Sequence, residues 1–138
     1  MIRKMYPLFV IGLLLIGSPY AYPHGEDKLG PNKGYVRMPG AFHTELVNGT
    51  KGRFKVFLLD VRFKNPIIKN SFVKGIVKIS GKSSPFECNP RKNHFFCDLK
   101  VAAKEPYTVE ITSSRDGMVG GIAVYEFPLK LMNAHGDH

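Results

Sequence analysis

Short stretches in which apolar and polar residues alternate, each closed by Gly, Pro or Asn, recur through most of this chain. Successive side chains on a strand point to opposite faces, so a period of two belongs to half-buried β-structure. Helical periodicity is weak throughout. The alternation predicts strands over 35–38, 41–47, 53–61, 72–80, 85–88, 95–99, 107–112 and 122–128. Between them lie residues with turn chemistry: Asn48-Gly49, Asn65-Pro66, Gly81-Lys82-Ser83-Ser84, Asn89-Pro90 and Asp116-Gly117,. The pattern predicts an all-β fold, an antiparallel immunoglobulin-like β-sandwich of about seven or eight strands.

Alternation also assigns faces. Phe54, Val56 and Leu58 share the side expected to meet the core, as do Tyr107, Val109 and Ile111,. Phe42, Thr44 and Leu46 share one face of their strand, and His43, Glu45 and Val47 the other.

The first 21 residues have the layout of an export signal: Arg3 and Lys4, an apolar run from Leu8 to Ile16 broken by Gly12, then Gly17-Ser18-Pro19-Tyr20-Ala21,. The apolar run is shorter than the roughly 18 residues of a membrane span. Cleavage is expected after Ala21, although Pro19 is a poor residue so close to the cut. The expected organisation is a signal peptide over 1–21, a flexible segment over 22–33, one sandwich domain over 34–131 and a tail over 132–138. The product is expected to be periplasmic or secreted, with no transmembrane segment in its mature form. The whole chain carries a formal net charge of +9, and loss of Arg3 and Lys4 leaves +7. Such an excess attracts anionic partners, but the lysines form no dense run, so a solvated basic surface without nucleic acid is expected.

An exported chain with only two cysteines, Cys88 and Cys97, is expected to join them,. Setting the two opposite one another places Asn89 against Phe96, Pro90 against Phe95 and Arg91 against His94. Lys92-Asn93 then forms a two-residue turn, with Asn93 available for positive φ. Pro90 belongs on a sheet edge, since it cannot donate to a ladder. The bridge is thus expected to staple an exposed edge hairpin, with His94 as an exposed turn residue.

The chemistry-bearing residues gather near the start of the exported part. His24, Glu26, Asp27, Met38, His43 and Glu45 fall within 22 residues. Imidazole, carboxylate and thioether suit copper or another divalent transition metal. His43 and Glu45 lie two apart on one strand face, about 6.5–7 Å along the strand. The last residues repeat the theme with Met132, His135, Asp137 and His138,. Glu45 has a plainer alternative, a cross-strand ion pair with Arg53 or Lys55, and His43 an alternative as a buried hydrogen-bonding residue.

The run from His24-Gly25 through Gly30-Pro31 and Gly40-Ala41-Phe42-His43-Thr44-Glu45-Leu46 to Val56-Phe57-Leu58-Leu59-Asp60 resembles a segment of small bacterial periplasmic metal-associated proteins. It is also similar to the metal-binding domain of heavy-metal efflux adaptors, and in architecture to the periplasmic copper-resistance carriers. The resemblance covers about 35 residues and implies an Ig-like sandwich with His24, His43 and Glu45 as ligands. One departure concerns His24. After cleavage the chain would begin Tyr22-Pro23-His24, and Pro23 has no N–H to give up. The four-nitrogen copper site of a third-position histidine therefore cannot form in its usual way.

No nucleophile elbow, phosphate loop or His-Glu-x-x-His helix is present, and Asp60 and Asp116 are single carboxylates,. Asn48-Gly49-Thr50 fits a glycosylation acceptor, though Asn-Gly is equally a hairpin turn. The expectation is a non-enzymatic metal-binding accessory protein for copper buffering, delivery or resistance, partnered by a heavy-metal efflux system or an envelope protein. His24, His43 and Glu45 would hold the ion, with Met38, His135 and His138 as auxiliary ligands. The alternative is a basic binding module that docks an anionic envelope component or a protein partner.

Overall fold

The computed structural model describes residues 25–101 and 104–132. His24, His135 and His138, together with the expected export segment over 1–21, lie outside the described residues. Ten strands follow in order: β1 (Tyr35–Arg37), β2 (His43–Asn48), β3 (Arg53–Leu59), β4 (Phe72–Ile79), β5 (Lys82–Glu87), β6 (Asn89–Arg91), β7 (His94–Asp98), β8 (Tyr107–Arg115), β9 (Met118–Val119) and β10 (Ala123–Phe127). They form two antiparallel five-stranded sheets, one in the order β1-β2-β3-β7-β6 and one in the order β10-β8-β4-β5, with β9 beside β8. β2-β3-β7-β6 occupy the places of strands A, B, E and D of an immunoglobulin sandwich, and β10-β8-β4-β5 those of G, F, C and C′,.

The core lies between the sheets. Phe54, Val56 and Leu58 of β3 and Phe95 and Cys97 of β7 meet Val73 and Val77 of β4, Val109 and Ile111 of β8, and Tyr125 and Phe127 of β10. Each large apolar side chain taken out of water contributes about 1.5–3 kcal/mol before chain entropy is counted. One polar group is built in: the Tyr125 hydroxyl lies 2.7 Å from Thr44 Oγ1 and donates to the Thr44 carbonyl at 3.1 Å. Burial pushes the Tyr125 phenol far above its ordinary range, so it stays a donor.

Where the sheets meet at the β5–β6 edge, the expected hairpin gains a detail. Asn89, Pro90 and Arg91 face Phe96, Phe95 and His94 as the cysteine pairing requires. Cys88 is the corner at which the chain changes sheets, because its N–H donates to Val73 of β4 while the next residue pairs in the other sheet. The Cys88–Cys97 bond closes that corner, with Cα atoms 4.4 Å apart. Both cysteines are buried, so the staple is not on an exposed hairpin surface.

Other boundaries differ from expectation. Positive φ in the two-residue turn falls on Lys92 instead of Asn93. Ser80 and Gly81 both take positive φ, which tightens that turn, and β5 begins at Lys82 within the expected loop. β6 and β9 are the short strands that raise the expected seven or eight to ten.

Candidate functional site

The first sheet buries residues on both faces near its β1–β2–β3 end. Phe42 and Leu46 fill the core, so alternation turns His43 and Glu45 outward, yet both are fully buried. Two loops account for this. Residues 30–34 seat on Glu45, and the turn after β3 covers His43.

Glu45 lies opposite Val36 on β1 and Phe57 on β3. Its Oε1 accepts the Asn32 N–H at 2.7 Å and the Gly34 N–H at 2.9 Å, and its Oε2 accepts Asn32 Nδ2 at 2.9 Å. The loop comes so close that a Cβ on Gly30 would sit 2.5 Å from the carboxylate carbon. The cross-strand ion pair with Arg53 or Lys55 is absent: Lys55 stands opposite Val47, and Arg53 pairs with Asp98 at 3.4 Å. Residues 25–33, read from sequence as flexible, are thus tied to β2 through Asn32 in this structure.

His43 is positioned by the turn from Asp60 to Asn65. The Asp60 carboxylate accepts the Arg62 and Lys64 N–H groups at 2.9 and 3.0 Å and Asn65 Nδ2 at 2.8 Å. These bonds, led by that from Lys64, hold its pKa below the ordinary value,. The turn places Phe63, at φ 61°, with its ring stacked on His43 at 4.1 Å. The Asp60 carbonyl lies 3.0 Å from His43 Nδ1. A carbonyl only accepts, so Nδ1 carries a proton, and in the neutral ring Nε2 is the nitrogen with the lone pair. Nε2 is buried with no hydrogen-bond partner.

The Met38 environment adjoins this one. Arg37 faces Thr44 at the end of the β1–β2 pairing, and Met38 follows it directly, lining a cleft that does not include His43. The Glu26 carboxylate accepts the Met38 N–H at 3.2 Å, and the Glu26 carbonyl accepts the Met132 N–H at 3.1 Å. Glu26, Met38 and Met132 line one cleft of about 190 Å³ with Arg37 and Val124. Arg37 closes the β1–β10 gap, donating from Nε to the Val124 carbonyl at 3.0 Å with its guanidinium 4.8 Å over the Tyr125 ring. The two ends of the described chain therefore meet: Gly25 precedes one partner of the Glu26–Met132 bond, and the tail leaves from the other.

Among the sequence-predicted residues, Met38, His43 and Glu45 are gathered at one end of one sheet. Among the described residues no three His, Cys, Asp or Glu side chains cluster as a metal site. Sequence reasoning missed Phe63 and the Asp60 carbonyl, the two groups that orient His43. The readable signal was the polar turn Asp60-Val61-Arg62-Phe63-Lys64-Asn65, where a capping carboxylate leads a turn holding one aromatic ring. The disulfide belongs to an oxidising, extracytoplasmic compartment,. No helix among the described residues is long and apolar enough to cross a membrane. No protein-family model, curated protein or solved structure matches this chain.

Proposed function

We propose that this chain is a periplasmic metal-binding accessory protein, most suited to copper, that buffers or delivers the ion. The observation that supports this best is His43. Metal-binding histidines characteristically donate one ring N–H to a carbonyl or carboxylate, which fixes the tautomer and turns the other nitrogen to the metal. His43 has that arrangement, with Nδ1 bound to the Asp60 carbonyl and Nε2 buried without a partner. A buried ring nitrogen left without a hydrogen-bond partner carries a cost that a bound ligand would remove,.

The neighbouring donors fit a soft metal. Met38 and Met132 offer thioethers beside Glu26 in one cleft, and thioether with imidazole selects Cu(I). His24 is one residue before Gly25, and His135 and His138 follow Met132 by three and six residues. At about 3.5 Å per extended residue, these tethers allow the terminal imidazoles to complete a site near Met38 and His43. Glu45 has both oxygens engaged by the loop, so in this reading it shapes the site and does not ligate. A bound copper would supply reversible one-electron and ligand-exchange chemistry; the chain's own part is to fix the ring through the Asp60 carbonyl and to keep Nε2 buried.

The test is titration of the purified protein with Cu(I) and Cu(II), repeated on His43→Ala and on Met38→Leu with Met132→Leu. Loss of His43 should weaken binding by about tenfold or more, at least as much as loss of an outer-shell partner. The methionine pair should matter for Cu(I) and little for Cu(II). Wild-type affinity no tighter than that of free imidazole, or indifference to His43→Ala, would overturn the proposal.

A further inference from the structure

The outer face of the first sheet changes character away from β2. Lys55 of β3 stands opposite Phe96 of β7, and Arg91 of β6 opposite His94. Lys55, Arg91 and Lys92 are exposed, and His94 is half-buried beside Phe57, their ring centroids 5.2 Å apart. His94 was expected to be an exposed turn residue, but it opens β7 and is partly covered. Burial, and then the charges of Lys55, Arg91 and Lys92, hold its pKa below the ordinary 6.5. Three cations therefore converge on one ring. The only ion pairs among the described residues are Arg53–Asp98 and Lys78–Glu110, so none of the three cations is itself paired with a carboxylate.

The cluster is also rigidly mounted. The Cys88–Cys97 bond clamps the base of the β6–β7 hairpin, and the two-residue turn fixes its tip. The Arg91 guanidinium lies 4.1 Å over the Phe96 ring, which occupies its flat face and leaves its in-plane N–H groups for an anion. Like charges held together without ion-pair partners of their own raise the free energy of the folded state, and an anionic partner relieves that cost.

We propose that this face, centred on Arg91 and Lys92, docks the protein on an anionic lipid surface through the lipid phosphates. The cations stand on an open sheet face and a projecting turn, which suits a planar array of phosphates better than one small anion. The formal net charge, +9 for the whole chain and +7 without residues 1–21, draws the molecule the same way,. The site is separate from the proposed metal site and holds whether or not copper binds.

The experiment is co-sedimentation of the purified protein, with chelator present, on phosphatidylcholine vesicles with and without phosphatidylglycerol. Partition should need the anionic lipid and fall with added salt. Neutralising Arg91→Gln or Lys92→Gln should weaken it about fivefold each, the worth of one basic residue near such a surface. Lys82→Gln or Lys130→Gln, single exposed cations on or beside the second sheet, should leave it nearly unchanged. The imidazole resonances of His94 should titrate at higher pH with the vesicles than without, since phosphates offset Lys55, Arg91 and Lys92. No partition onto anionic vesicles, equal losses in patch and remote variants, or binding only to an acidic protein or nucleic acid would each overturn the proposal.

Discussion

Glu45 lies two residues from His43 on one strand face and belongs to the same sequence pattern, yet the structure employs the two differently. Its carboxylate takes three hydrogen bonds from Asn32 and Gly34, and bonds to a buried charge are stronger than average. Glu45→Gln keeps the shape but loses the charge, and should cost about 2 kcal/mol in urea unfolding. A cost below about 0.5 kcal/mol would show that the loop is not seated through this group. Sequence could place Glu45 on the outer face but could not show that the face is covered, because the covering residues 30–34 look polar and mobile. His94 makes a second prediction at this scale. Its folded-state pKa is depressed, so the unfolded chain takes up the proton first as pH falls. Stability should be full above pH 6.5 and decline as pH drops through the lower folded value. His94→Gln should flatten the fall of Tm across that window; an unaltered slope would contradict the assigned burial.

At the scale of elements, the β6–β7 hairpin was the most legible part of the fold. Two cysteines nine apart and a proline between them admit one convenient register, and the strands pair in it. What sequence did not reveal is that Cys88 sits where the chain leaves β4's partner strand for the other sheet. The role of the bond as a corner clamp depends on two sheets that no local pattern displays. Removing it as Cys88→Ala with Cys97→Ala should cost about 2–3 kcal/mol from loop entropy. A cost near zero would show that the corner is fixed by its hydrogen bonds and packing alone. Strand existence followed from alternation throughout, whereas β9 escaped notice because two residues beside Gly117 and Gly120 carry no periodicity.

At the scale of the molecule, the sandwich brings the two ends of the described chain together beside Met38 through the Glu26–Met132 bond. Sequence composition showed histidines at both ends but held no information about whether those ends meet, since that depends on β1 and β10 lying at adjoining sheet edges. The core pattern fixes the sandwich and the sandwich fixes this convergence, so the proposed site is a product of topology more than of any local motif. The central claim is that His43 offers Nε2 to a metal while Asp60 keeps the proton on Nδ1. Nitrogen NMR of the His43 ring during Cu(I) addition tests it directly. The Nε2 resonance should shift on binding one equivalent while Nδ1 remains protonated. An unmoved Nε2 with copper bound elsewhere, or a shift at Nδ1 instead, would contradict it.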